Sequence, residues 1–241
     1  MKVAQPLPLD SVWNARDLGG YPISGGGTTA FHRFLRSATL HQASPEDQQA
    51  LYDYGVRLVV DLRSLFELED APNPMVGFRD VAYCNVPLDD EIQAEGLEGH
   101  FPDNMGEMYV RLLDHNQDAM ARVLTGLVAC QGCALFHCTA GKDRTGVIAM
   151  LLLDAAGVEE DTIIADYAAT EGYMEGMFAV QRAMLDRMGV SYPESIFQSR
   201  PAFMRLALDH LRAQYGTALD YFRAIGLAEQ TVKQLVSRLQ G

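Results

Sequence analysis

The sequence predicts an α/β fold, with a central, largely parallel sheet flanked by helices and a helical C-terminal extension, on three observations. Residues 134–153 read as a short apolar strand, a tight polar loop and an apolar helix. Val56–Leu62 is a nearly continuous, β-branched apolar run, as expected of a strand covered on both faces. Strands of this kind alternate with helical patterns, whereas everything from about Glu159 onward carries helical spacing.

Each element has its own signal. Ser24-Gly25-Gly26-Gly27 is a hairpin turn between short extended segments. Ser44-Pro45-Glu46-Asp47 starts a helix, with a side-chain cap, Pro in the first turn and an acid at the third position; Gly55 ends it. After the strand at 56–62, Val81–Val86 is a second strand. Met120, Val123, Leu124, Leu127 and Val128 share one face of a helix starting near Asn116. Ala134-Leu135-Phe136-His137 is the strand before the loop, and Val147–Leu153 lies in the helix after it, which ends at Gly157. Val232, Leu235, Val236 and Leu239 form a closing amphipathic helix. Met174, Met177, Met184 and Met188 fall on one helical face, the spacing of core filler. A single domain over 1–241 is expected, with room for a helical lid or cap within 160–215.

Composition narrows the function. A chain of 241 residues buries roughly 70–75% of its unfolded surface, so it needs no disulfide or metal staple. The 19 Lys+Arg against 32 Asp+Glu give a net charge of −13, which speaks against a nucleic-acid partner and against lying flat on an anionic membrane. No apolar run reaches the roughly 18 residues of a spanning helix. The first residues, broken by Pro6 and Pro8, lack the apolar stretch of a signal peptide. A soluble protein is expected, cytoplasmic or exported without a recognisable signal. Cys130-x-x-Cys133 has no second pair at zinc-ligand spacing, and His32, His41, His100, His115 and His210 form no ligand cluster. No metal or other cofactor is expected.

The chemistry concentrates in His137-Cys138-Thr139-Ala140-Gly141-Lys142-Asp143-Arg144-Thr145-Gly146. A loop between a buried strand and a helix aims the helix N-terminus at a bound anion. Gly141 lets the chain curl so that the amides of Thr139, Ala140, Gly141 and Lys142 point inward, and the planar fork of Arg144 can close the cradle on phosphate oxygens. The same electropositive setting suits a cysteine nucleophile, because a thiol at a helix N-terminus beside cations falls from about 8.5 to roughly 3.5–7.5. Cys138 is therefore the expected nucleophile, and Thr145 the hydroxyl that stabilises its thiolate when it leaves.

This loop resembles that of the protein tyrosine phosphatase superfamily, and more closely its bacterial atypical tyrosine and phosphoinositide phosphatases. Their opening motif is similar to Asn14-Ala15-Arg16-Asp17-Leu18-Gly19-Gly20-Tyr21, and Leu35-Arg36-Ser37 and Val60-Asp61-Leu62-Arg63-Ser64 match as well. The stretch Gly25–Arg33 departs from the arginine-rich hairpin usual in that family. The resemblance implies metal-independent hydrolysis of phosphomonoesters through a phosphocysteine. The substrates it implies are phosphotyrosine, phosphoinositides and phosphoserine or phosphothreonine.

Within that chemistry three choices stay open. The acid that protonates the leaving oxygen is Asp143, with Asp61 second and Asp89 or Asp90 third. Lys142 is either a second cation for a polyanionic head group or a solvent-facing side chain. Arg16, Arg36 and Arg63 either surround the site or pair with Asp17, Asp61 or Glu67, and His137 supports the loop by hydrogen bonding. A sulfurtransferase or arsenate reductase also holds a cysteine in an anion loop, but the run Lys142-Asp143-Arg144-Thr145-Gly146 speaks against both. A phosphate-binding module without turnover is the remaining alternative.

Overall fold

The computed structural model describes residues 3–88 and 104–240. Five strands form one sheet: β1 (Arg16–Asp17), β2 (Phe34–Ser37), β3 (Val56–Asp61), β4 (Ala82–Asn85) and β5 (Cys133–His137), in the order β1-β2-β5-β3-β4. Only the β1–β2 pair is antiparallel. β5 is the central strand, buried at every residue, because both of its edges and both of its faces are covered. β4, at the edge, alternates exposed and half-buried residues and is shorter than the strand expected at 81–86.

The helices are α1 (Pro45–Tyr54), α2 (Leu65–Asp70), α3 (Met105–His115), α4 (Gln117–Ala129), α5 (Arg144–Ala156), α6 (Glu160–Tyr173), α7 (Glu175–Met188), α8 (Pro201–Gln214), α9 (Ala218–Ala224) and α10 (Glu229–Gln240). Ser44 caps α1 by accepting from the Asp47 amide, and Gly55 ends it in the left-handed region, as its sequence requires. α5 is buried almost all round; its apolar residues, unlike a one-sided stripe, pack on the sheet and on the outer helices together. One face of the sheet carries the large core of α3–α6 and α8–α10. The other carries a smaller core of Val12, Leu35, Leu51, Val59 and Leu135 under α1.

One expectation needs correction. The methionine stripe is not uniform core: Met174 is buried, but Met184 and Met188 are 57% and 63% exposed, because α7 buries little beyond Phe178. Of the span 160–215, α6 and α8 are core elements, and only the hairpin of α7 with the 3-10 turn Glu194–Phe197 is peripheral. That hairpin makes a small core of its own from Met174, Phe178 and Phe197 and rests on Ala38 and Ala140. Cys130 and Cys133 stand in two different cores, on opposite faces of the sheet.

Candidate active site

The register of the three central strands creates the site. Ser37 and Asp61 both lie opposite His137, so β2, β3 and β5 end level, and the chain after β5 emerges between two strand ends. In a parallel sheet this carboxyl edge is where ligands bind. Two backbone bonds continue the register past the strands: Leu62 N–H donates to His137 O (2.8 Å), and Thr39 N–H donates to Thr139 O (3.0 Å).

Cys138 starts the loop and is 2% exposed. Gly141 turns the chain with φ 64°, and a Cβ there would lie 2.2 Å from Ser37 O, so only glycine fits. Asp143 is the N-cap residue of α5 but makes no side-chain cap bond. The N–H groups of Thr139, Ala140, Gly141, Lys142 and Asp143 donate to no acceptor among the described residues. Untied amides at the N-terminus of a buried helix form an anion site. The Thr145 hydroxyl, fully buried beside them, also has no partner among the described residues.

Arg144 lies across this loop, its fork engaged by Glu67 from α2: Nη1 to Oε2 at 2.8 Å and Nη2 to Oε1 at 2.9 Å. Glu67 also accepts from the Thr139 hydroxyl and, as the closing member of a capping box, from Ser64 N–H. Burial would raise its carboxyl, but Arg144, Thr139 and Ser64 outweigh that and hold it below the usual range.

Asp61, second candidate for the proton donor, has the wrong environment for it. Its oxygens accept from Arg63 Nε (2.9 Å), Arg63 Nη2 (2.8 Å), Asn73 (3.2 Å) and Tyr83 (3.1 Å), and His137 Nε2 lies at 3.3 Å. Burial would raise the pKa, yet His137 and Arg63 override it and hold the carboxyl far below the ordinary carboxylate range. Asp61 is thus the anchor of Arg63 and His137. The His137 ring faces Cys138 O through Nδ1 at 3.0 Å and so braces the start of the loop.

Asp143, the first candidate, sits at the rim with its side chain 14% exposed. Its Oδ1 accepts from Tyr109 O–H at 2.6 Å, and Tyr109 shares a 2.6 Å bond with Tyr167. Burial and then the Asp143 charge push both phenols well up, so both stay protonated. Oδ2 has no hydrogen bond from the described residues and is available to a substrate atom. Asp89 and Asp90 lie outside the described residues.

Lys142 is neither solvent-facing nor directed at the mouth of the loop. It is fully buried, and its Nζ donates to Ile196 O (2.5 Å) and Gln198 O (3.1 Å). It ties the loop to the turn after α7, a role that a single lysine in the sequence gives no means of reading.

The other arginines pair with one acid that sequence reasoning missed. Arg16 Nε (2.8 Å) and Arg36 Nη1 (2.6 Å) both meet Asp166 of α6, rather than Asp17, and only Arg63 takes the expected Asp61. Burial would raise Asp166, but Arg16 and Arg36 hold it far below the usual range. Its signal was a carboxylate inside the apolar run Ile163-Ile164-Ala165-Asp166-Tyr167. Glu67 also had one, as the third residue after the capping Ser64. Tyr109 had none.

Comparison with known proteins converges on this loop-bearing chain as a whole. The family model described as "Tyrosine phosphatase family" matches residues 7–241. A tyrosine-protein phosphatase of Nostoc commune is 36% identical over 216 residues, covering 86% of this chain and 74% of the relative. A relative from Cupriavidus necator is 28% identical over 227 residues, covering 90% of this chain and 82% of its own. The triple specificity protein phosphatase PtpB of Mycobacterium tuberculosis is 24% identical over 278 residues, covering 97% and 98%.

Proposed function

The chain belongs to the tyrosine phosphatase family, and from that premise we propose that it hydrolyses phosphomonoesters through a phosphocysteine on Cys138. The observation that carries the reading is the row of untied amides from Thr139 to Asp143 between the buried thiol and the Arg144 fork. Cys138 Sγ attacks phosphorus while the ester oxygen leaves on the opposite side. The loop amides and Arg144 take the equatorial oxygens, where charge accumulates in the transition state. Asp143 Oδ2 delivers the proton to the leaving oxygen, and then accepts one from the water that cleaves the phosphocysteine. The Thr145 hydroxyl donates to the departing thiolate.

The substrate class follows from the same atoms. A phosphotyrosine side chain needs only this cradle; phosphoserine, phosphothreonine and phosphoinositides are further esters of the same chemistry, and a mycobacterial relative is named a triple specificity protein phosphatase. Lys142 does not favour polyanionic head groups, because its ammonium already serves two backbone carbonyls. Comparable kcat/KM across a phosphoinositide panel, below that for phosphotyrosine peptides, is the expected ranking. The packing of the hairpin 175–198 on Ala140 supports reading it as a cover of the loop.

The test is turnover of p-nitrophenyl phosphate, which should survive chelators and stop in Cys138→Ser; full activity in that variant would overturn the proposal. Asp143→Asn should depress kcat far more for phenyl phosphate than for p-nitrophenyl phosphate, whose good leaving group needs no proton. The same signature in Asp89→Asn or Asp90→Asn, and not in Asp143→Asn, would move the acid there.

A further inference from the structure

The opening motif Asn14-Ala15-Arg16-Asp17 and the arginine of Leu35-Arg36-Ser37 take no part in the chemistry above, yet both are buried directly under the loop. Asn14 Nδ2 donates to Ala140 O (3.1 Å) and Gly141 O (3.0 Å), 126 and 127 residues away in sequence. Arg36 Nη2 donates to Gly141 O at 2.7 Å. Arg16 orients Asn14 by donating from Nη1 to its Oδ1 and, at 3.2 Å, to its backbone oxygen. Asp166 fixes both arginines from α6, aided by Tyr21 O–H at 2.7 Å.

The consequence lies in peptide geometry. Each peptide unit is planar, so fixing its C=O on one side of the chain turns the N–H of the next residue to the other side. Asn14 and Arg36 hold the carbonyls of Ala140 and Gly141 on the protein side of the loop. The N–H groups of Gly141 and Lys142, in the same two peptide units, then face away from those donors, and neither donates to a described residue. Thr39 N–H does the same to Thr139 O on one flank, and Val147 N–H to Asp143 O (2.9 Å) on the other. Asn14 also holds a backbone conformation, φ 58°, that few side chains tolerate and that Asn and Gly tolerate best. A purely structural prop would not need a strained residue with two donors aimed at two successive carbonyls.

We propose that Asn14 and Arg36 are positioning residues that preset the phosphate loop in its anion-binding form, so that they govern affinity for the phosphoryl group and not only stability. The inference rests on the phosphatase reading for its substrate, but its test does not require turnover. Inorganic phosphate is the probe, titrated calorimetrically against wild type, Asn14→Gly and Asn14→Asp at a temperature where circular dichroism shows each folded. Asn14→Gly keeps the left-handed backbone and removes the side chain. Asn14→Asp keeps the oxygen facing Arg16 and removes the two donors.

Two lost hydrogen bonds of about 1 kcal/mol each correspond to roughly 10- to 30-fold weaker phosphate binding in both variants. KM for p-nitrophenyl phosphate should rise in parallel. Wild-type phosphate affinity in either folded variant would overturn the proposal, whatever its melting temperature. Should Asn14→Gly not fold, Arg36→Lys answers the same question, since it leaves a cation for Asp166 but not the reach to Gly141 O. Undiminished affinity there would count equally against the idea. A wild-type protein that binds phosphate without hydrolysing esters would sink the phosphatase reading and leave the positioning role standing.

Discussion

Glu67 offers the most discriminating perturbation of the loop. Its two carboxylate oxygens serve four donors: Arg144 Nη1 and Nη2, the Thr139 hydroxyl and Ser64 N–H. Glu67→Gln preserves shape but turns one oxygen into an NH2, so two of the four donors meet another donor. The side chains of Arg144 and Glu67 are only 4% and 11% exposed, which leaves little solvent to compensate. Breaking a buried pair from one side costs about 3–5 kcal/mol, which for a chain of this size lowers Tm by about 6–20 °C. An arginine misplaced by an ångström at a transferring phosphoryl group costs about 100-fold in rate, the loss expected in kcat/KM for p-nitrophenyl phosphate. The pH dependence gives a second check. The folded Glu67 carboxyl lies below its unfolded value, so its stabilisation is complete above about pH 4.3 and is lost as pH falls through the folded value. The Tm gap between wild type and Glu67→Gln should therefore be full at neutral pH and close in acid. Equal Tm and equal kcat/KM at pH 7 would refute the assignment of Glu67 as the residue that holds Arg144 in place.

Two further substitutions test the neighbouring parts. Gly141→Ala adds a Cβ that would sit 2.2 Å from Ser37 O at a left-handed position, so calorimetric phosphate binding should be lost even where the protein folds; retained binding would show that the loop can relax. Asp61→Asn leaves Arg63 and His137 facing a neutral group and should cost about 3–5 kcal/mol in denaturant unfolding. Its ratio of kcat for phenyl and p-nitrophenyl phosphate should match wild type, and a selective loss on phenyl phosphate would restore Asp61 as the acid.

The loop of Cys138, Gly141 and Arg144 was legible as a strand–loop–helix junction because such a junction is local. The strands at 56–61 and 133–137 and the caps of α1 were legible for the same reason: periodicity and capping act within a few residues. Asp61 looked like a proton donor because a carboxylate at a strand end has that position. Only the packed structure surrounds it with Arg63, Asn73, Tyr83 and His137.

The sequence by itself determined that a thiol and a guanidinium stand in one short loop between a buried strand and a buried helix. The tertiary structure decided which groups hold them there: Glu67 on Arg144 from 77 residues away, Asn14 and Arg36 on the loop carbonyls, and Lys142 turned from the mouth of the loop to the backbone of residues 196 and 198. The physical reason is that covalent spacing fixes what a loop can bind. The partner of a buried charge, by contrast, is fixed by which elements pack against it, and no local pattern encodes that.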